Sequence, residues 1–364
     1  MSGSNRTEQD VATKEERPDL TQYAPKNFNT GKSVLSRNAL DQEIPEDTTK
    51  RWDYVSKGLT KVKPDALFPH KVAGNLNVND WEYLRREVPH IWHVDERFPR
   101  MGFLSRDEAS IVHNLAKLFK GKKALEIGCW RGWSTAHILK AGVELDVVDI
   151  VLEDPDALAE LQTIAKGCGA SKRTRFFAGS SHLKVPQIAE EDNKKWSFFF
   201  IDGDHEVPAP ARDAVLCSQF AEKDALMVFH DLASPHVSDA LVAMRREGWN
   251  TMVYQTMQIM GIAWRGKIKP VPHTPDPQVN WELPDHLVSF RLAHETSTQY
   301  QKRLVELVDD LTYQKRAFDT LLGEYSRARA MVGDWQRAFN ASLAAAEAEG
   351  GNADAGRSKK LFRR

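Results

Sequence analysis

Between Lys123 and Trp264 the chain alternates short apolar runs with amphipathic stretches, and this alternation constrains the fold more than any other feature. Strands are expected at 123–127 (KALEI), 145–150, 175–178, 196–201 (WSFFFI) and 225–229. Helices are expected at 134–140, 156–166, 209–220 and 238–247. Two last strands, at about 250–256 and 258–264, lie close enough in sequence to form a hairpin. Ahead of the first strand, Ser105 and Glu108 have the spacing of a capping box. Ile111, Val112, Leu115, Leu118 and Phe119 then recur at helical spacing, and Gly121 can end that helix. Alternation of this kind predicts an α/β domain with a mostly parallel, Rossmann-like sheet, helices on both faces and an antiparallel hairpin at its end.

The flanking segments read differently. Residues 1–50 are polar and aperiodic, as expected of a disordered tail. Residues 51–104 hold Trp52, Tyr54, Phe68, Trp81, Tyr83, Trp92, Phe98 and Phe103 without regular spacing, and read as a lid of short helices and loops. His90 and His93 share an H-x-x-H spacing there, but no nearby acid completes a metal site, so packing or a place in the lid is expected. The main domain is placed at 105–268. Pro270, Pro272, Pro275, Pro277 and Pro284 predict a linker over 269–284. From 285 to 349 the pattern is helical: Leu304, Leu307, Leu311, Gln314, Phe318, Leu321, Tyr325, Ala328, Val332, Trp335 and Phe339 alternate steps of three and four. Such a seam predicts a coiled coil joining copies of the chain into a homo-oligomer, against the alternative of a long helix lying back on the domain. Residues 350–364 read as a flexible basic tail, whose charges are expected to be solvated rather than held on a lipid or an acidic partner.

Composition excludes several classes. Lys and Arg total 50 against 51 Asp and Glu, a balance that argues against a general nucleic-acid-binding surface. No apolar run approaches the ~18 residues of a membrane helix, and the first twenty residues show no secretory signal. Cys129, Cys168 and Cys217 lie far apart without a C-x-x-C pair, which fits a reducing compartment and a cytoplasmic location.

The loop after the first strand, Glu126-Ile-Gly128-Cys-Trp130-Arg-Gly132-Trp133-Ser134, sits where ligands bind in α/β sheets. Gly128 and Gly132 would let backbone approach a ligand. A dinucleotide loop would place its second glycine at Trp130, and a P-loop would need Gly-Lys-Ser/Thr; both are absent. Glu126 is unsuited to a phosphate neighbour and suited to a cation. Ser134, near the helix start, can donate to a ligand carboxylate. Asp149 ends the second strand, where such folds hold ribose hydroxyls. These features suit S-adenosylmethionine.

With the motifs LEIGCWRGWST, DVVDI, FFAGSSH, FFFIDGDH and MVFHDL, the chain resembles the class I S-adenosylmethionine-dependent methyltransferases over about 100–266. More narrowly, it resembles bacterial small-molecule and sugar O-methyltransferases that share features with catechol-type enzymes. The resemblance implies cofactor contacts from Glu126, Gly128, Gly132, Ser134 and Asp149, with Ser181 near the adenine and Trp130 lining the loop. It also implies a divalent-metal site of Asp202, His230 and Asp231 at two adjacent strand ends. His230 stands where the family has an acid, which opens the site to manganese or iron as well as magnesium, and leaves a metal-free site open. His205 matches the position of a catalytic lysine in catechol-type enzymes, and its ordinary pKa of ~6.5 suits proton removal from an acceptor hydroxyl. The acceptor implied is a sugar or other small polar metabolite. Two further readings stay open here: a coiled-coil scaffold carrying an inactive domain, and an N-methyltransferase. The latter usually ends its fourth strand in an asparagine-proline-proline type motif, where this chain has Asp202-Gly-Asp-His.

Overall fold

The computed structural model describes residues 51–74, 81–85, 88–93, 101–193 and 195–361, without the side chains of 101 and 346–361. The expected tail at 1–50 lies outside the described residues. In the first compact unit, which ends at His294, ten strands and six α-helices are present among the described residues. The short strands β1 (Lys71–Gly74), β2 (His90–His93) and β3 (Met101–Phe103) pair antiparallel. Next come α1 (Arg106–Lys117), β4 (Lys123–Ile127), α2 (Trp133–Ala141), β5 (Glu144–Asp149), α3 (Pro155–Gly167), β6 (Thr174–Ala178), α4 (Ser181–Glu191) and β7 (Trp196–Ile201). The unit continues with α5 (Ala209–Gln219), β8 (Ala221–Phe229), α6 (Pro235–Arg246), β9 (Asn250–Tyr254) and β10 (Met260–Arg265).

The main sheet has seven strands in the order β6-β5-β4-β7-β8-β10-β9. Its first five strands run parallel. The β9–β10 hairpin adds the antiparallel edge through β10 against β8. This is the Rossmann-like mixed sheet that the alternation predicts. Its register follows from the period-two side-chain pattern. In β7, Phe198 and Phe200 enter one core layer, while Phe199 and Ile201 enter the other. In β8, Leu226 and Val228 face the first layer, and Ala225, Met227 and Phe229 the second. A strand covered on both faces must be apolar throughout, and each buried phenylalanine contributes about 1.5–3 kcal/mol. The capping box at α1 forms as expected: Ser105 Oγ accepts from the Glu108 amide (3.2 Å) and Glu108 Oε2 accepts from the Ser105 amide (2.8 Å).

Three features depart from the sequence reading, and the burial of His90 and His93 agrees with it. Helix α4 is absent from it, because Pro186 falls inside the helix and hides the period. The segment read as helices and loops includes the sheet β1–β2–β3, whose strands are too short for alternation to register. His90 and His93, three apart on β2, point to opposite faces and are both buried, so their spacing reflects packing. The proline-rich stretch packs onto the domain: His273 and Asp276 are buried and Tyr54 OH donates to Thr274 O (2.7 Å), and beyond it Leu287 and Phe290 join the core.

The second compact unit, 295–364, is one long helix, α7 (Ser297–Leu361). It begins later than expected and continues through 350–361, the stretch read as tail. Five-residue exposure of its seam is large: Leu311, Phe318, Leu321, Val332 and Phe339 are 55–63% exposed. No helix among the described residues is long and apolar enough to cross a membrane.

Candidate active site

The carboxyl ends of β4, β5, β7 and β8 meet at one rim. Gly128 makes that meeting possible: at φ +81°, a Cβ there would lie 2.0 Å from Asp202 O. The missing side chain makes room for the end of β7. Gly132, at φ +80°, similarly abuts Leu161, whose Cδ2 would be 2.5 Å from a Cβ. Trp130 holds a left-handed φ of +42°, uncommon for a side chain of that bulk.

Asp149 organises the loop. Its Oδ2 accepts from the amides of Cys129 (2.7 Å) and Trp130 (3.1 Å), and Oδ1 accepts from the Val151 amide (2.9 Å). Glu126 lies at the end of β4 with no exposed surface. Its Oε1 accepts from Ser134 Oγ (2.6 Å), while Oε2 is buried without a hydrogen-bond partner. Ser134 donates to Glu126, a contact the sequence does not show. Desolvation pushes the Glu126 carboxyl up to about 8, with the Ser134 hydrogen bond and the nearby Thr135 hydroxyl opposing and the charges of Asp149 and Asp202 adding to it. Ser181 donates to Asp213 Oδ1 (2.7 Å), a buried partner that the sequence reading missed.

A second cluster joins the ends of β7 and β8. His205 Nε2 lies 3.5 Å from Asp202 Oδ1 and 3.4 Å from Asp231 Oδ2. His230 Nδ1 lies 3.4 Å from Asp202 Oδ1 and 3.2 Å from Asp231 Oδ2. Two imidazoles thus border the same two carboxylates. Asp231 adopts φ +59°, a conformation that costs a non-glycine residue energy and is often found at functional sites. Burial alone would raise Asp202, but the His230 charge and the His205 hydrogen bond outweigh it and hold it well below the usual carboxylate range. Burial alone would lower His205 and His230, but the neighbouring carboxylates win and raise both.

Residues 125–232 match a family model described as a methyltransferase domain. They form a methyltransferase domain. No curated protein matches the chain. Among solved structures, an O-methyltransferase from Bacillus cereus in complex with SAH is 13% identical, with 43% of this chain and 80% of that one covered and a TM-score of 0.39. The O-methyltransferase TomG from Streptomyces achromogenes, involved in tomaymycin synthesis and solved with SAM, is 13% identical over 45% and 82%, with a TM-score of 0.39. Cofactor-bound Rv0187 from MTB is 16% identical over 43% and 78%, with a TM-score of 0.37.

Within the methyltransferase domain, Asp202, His205 and Asp231 each offer a ligand atom within 4.8 Å of the others, a set that suits a divalent ion. The sequence reading had His230 in place of His205. His230 Nδ1 is buried and faces Asp202 and Asp231 without a well-formed hydrogen bond to either, so that nitrogen has ligand capacity to spare. The donor chemistry therefore fits a cation. Trp81 lies against the cluster, its ring 6.1 Å from that of His205. Asp204 Oδ1 accepts from the Glu206 amide (2.9 Å), capping the following loop. Two neighbours escaped the sequence reading. Gln258 Nε2 donates to Asp231 Oδ1 (3.4 Å) from the β9–β10 turn. Glu108, read only as a helix cap, reaches His230 from α1.

Proposed function

We propose that this chain is an S-adenosylmethionine-dependent O-methyltransferase that methylates a hydroxyl of a sugar or other small polar metabolite with assistance from a divalent cation. Glu126 carries the reading. It is a fully buried carboxylate with one unpartnered oxygen, at the loop where the sheet's strand order reverses. A cationic amino-acid end arriving there would draw off the proton that burial keeps on the carboxyl and pair with the resulting charge, which a phosphate would not do.

S-Adenosylmethionine would supply an electrophilic methyl group, and a divalent ion would be held by Asp202, Asp231 and the imidazole of His230 and would supply Lewis acidity toward the acceptor oxygen, which leaves His205 as the base. The protein's own part is binding, orientation and proton handling. Glu126 binds the ligand ammonium, and Asp149 holds the loop while its remaining lone pairs serve ribose hydroxyls. Trp130 and the Gly128–Gly132 loop line the cofactor side, and Ser181 supports the adenine side through Asp213. His205 Nε2 accepts the hydroxyl proton as the acceptor oxygen bonds to the methyl carbon and the carbon–sulfur bond breaks. Trp81 excludes water beside it, and orientation of the two reactants provides much of the rate. Helix α7 joins copies of the chain through the seam from Leu304 to Phe339, as supported by its heptad spacing and its exposed apolar residues.

Calorimetry with adenosylhomocysteine, NAD and ATP tests the cofactor reading. Heat from adenosylhomocysteine alone is expected; uptake of NAD or ATP in its place would overturn the assignment.

A further inference from the structure

Glu108 occupies the third position of α1, where a capping box takes either Glu or Gln. The cap uses only its Oε2, which accepts from the Ser105 amide (2.8 Å). A capping side chain ordinarily keeps some contact with water, yet Glu108 has no exposed surface. Its Oε1 accepts from the amide of Gln258 (2.8 Å), 150 residues further along the chain. Its Oε2 also lies 3.6 Å from His230 Nε2, an ion-pairing separation. Two amide donors and one imidazole at ion-pairing distance, from three parts of the fold, therefore converge on one buried carboxylate. Burying an ionised carboxylate costs several kcal/mol unless charge and hydrogen bonds compensate it. A glutamine would keep the cap without that cost, so capping does not account for the charge.

The far side of the His230 ring accounts for it. Nδ1 faces Asp202 and Asp231 at 3.4 and 3.2 Å, while Nε2 faces Glu108. A carboxylate behind an imidazole fixes the ring's orientation and makes the opposite nitrogen the better ligand. The second contact, to Gln258, ties the same carboxylate to the residue that donates to Asp231 Oδ1.

We propose that Glu108 is a positioning residue for the candidate metal centre: it holds His230 so that Nδ1 is presented to the space bounded by Asp202 and Asp231, and links that ring through Gln258 to Asp231. The inference rests on the divalent-cation part of the proposed function. It makes α1, which lies before the matched methyltransferase segment, part of the site.

Binding of Mn2+ alone to the full chain, followed by calorimetry and by the paramagnetic resonance of free Mn2+, tests it. Glu108→Gln is expected to weaken Mn2+ about 10- to 100-fold and leave adenosylhomocysteine binding unchanged. In a His230→Gln background the same substitution is expected to cause no further loss, because Glu108 acts through His230. Ser105→Ala, which removes the cap and leaves the Glu108 carboxylate, is expected to lower thermal stability without changing Mn2+ affinity. Should Glu108→Gln fail to fold, Glu108→Asp, which retracts the charge by one methylene, carries the same expectation. Wild-type affinity in the Glu108 variant, or an equal loss with and without His230, would overturn the inference alone. Wild-type protein that binds adenosylhomocysteine but no Mn2+ would overturn the metal reading and this inference with it.

Discussion

Replacing Glu126 with Gln is expected to stabilise the fold and weaken the ligand together. The folded-state pKa of about 8 lies well above the ordinary carboxyl value of 4.5. Between those limits the folded chain keeps a proton that the unfolded chain has released. Stability therefore falls as pH rises from 4.5 and levels off above about 8. At about 1.4 kcal/mol per tenfold change in proton affinity, the full penalty approaches 5 kcal/mol, an upper bound that water entry and local relaxation reduce. Glutamine keeps the shape and one hydrogen bond to Ser134 Oγ but does not ionise. Urea denaturation of both proteins at pH 5 and pH 8.5 measures the effect: the variant's advantage should grow by several kcal/mol between the two. Loss of a charged hydrogen bond worth about 1.5–3 kcal/mol should cost about 10- to 100-fold in adenosylhomocysteine affinity. An advantage that does not change with pH would refute the buried-acid argument, and unchanged affinity would refute its role in binding.

His205 titrates above its ordinary 6.5, held there by Asp202 and Asp231 against desolvation. A base must be neutral, so the acid limb of a kcat/KM profile should lie above pH 6.5 and disappear in His205→Gln. Gly128→Ala should destabilise the domain by about 3 kcal/mol or more, measured as a fall in Tm, because a Cβ at 2.0 Å from Asp202 O forces the strand ends apart. Leu321→Glu, which places a charge in the α7 seam, should lower the oligomeric state seen by light scattering while leaving adenosylhomocysteine binding intact. An unchanged mass would show that the seam does not join subunits.

The strands and helices of the main sheet were legible because burial on two faces imposes continuous apolar runs, as in WSFFFI, and burial on one face imposes the helical period, as in α1. Pro186 broke the period of α4, and the polar start of β8, Glu222-Lys-Asp, is exposed and carries no apolar signal. The prolines at 270–284 signal irregular backbone, but whether such backbone packs or tethers depends on partners such as Asp107, which pairs with buried His273 at 2.6 Å. In the site, position at strand ends and side-chain charge pointed to Glu126 and Asp149, and the family resemblance to Asp202, His230 and Asp231. The hydrogen bond between Ser134 and Glu126 was not legible because it joins two side chains eight residues apart across the strand–helix turn. Glu108 and Gln258 were invisible because tertiary folding alone brings α1 and the β9–β10 turn onto His230 and Asp231.

A crystal structure of the full chain with adenosylhomocysteine decides whether the Glu126 loop holds a methyl donor. The product's ammonium is expected within hydrogen-bond reach of Glu126 Oε2 and its adenosine along the β4–β5 side of the rim. Product bound elsewhere, or a nucleotide phosphate seated on the Gly128–Gly132 loop, would contradict it.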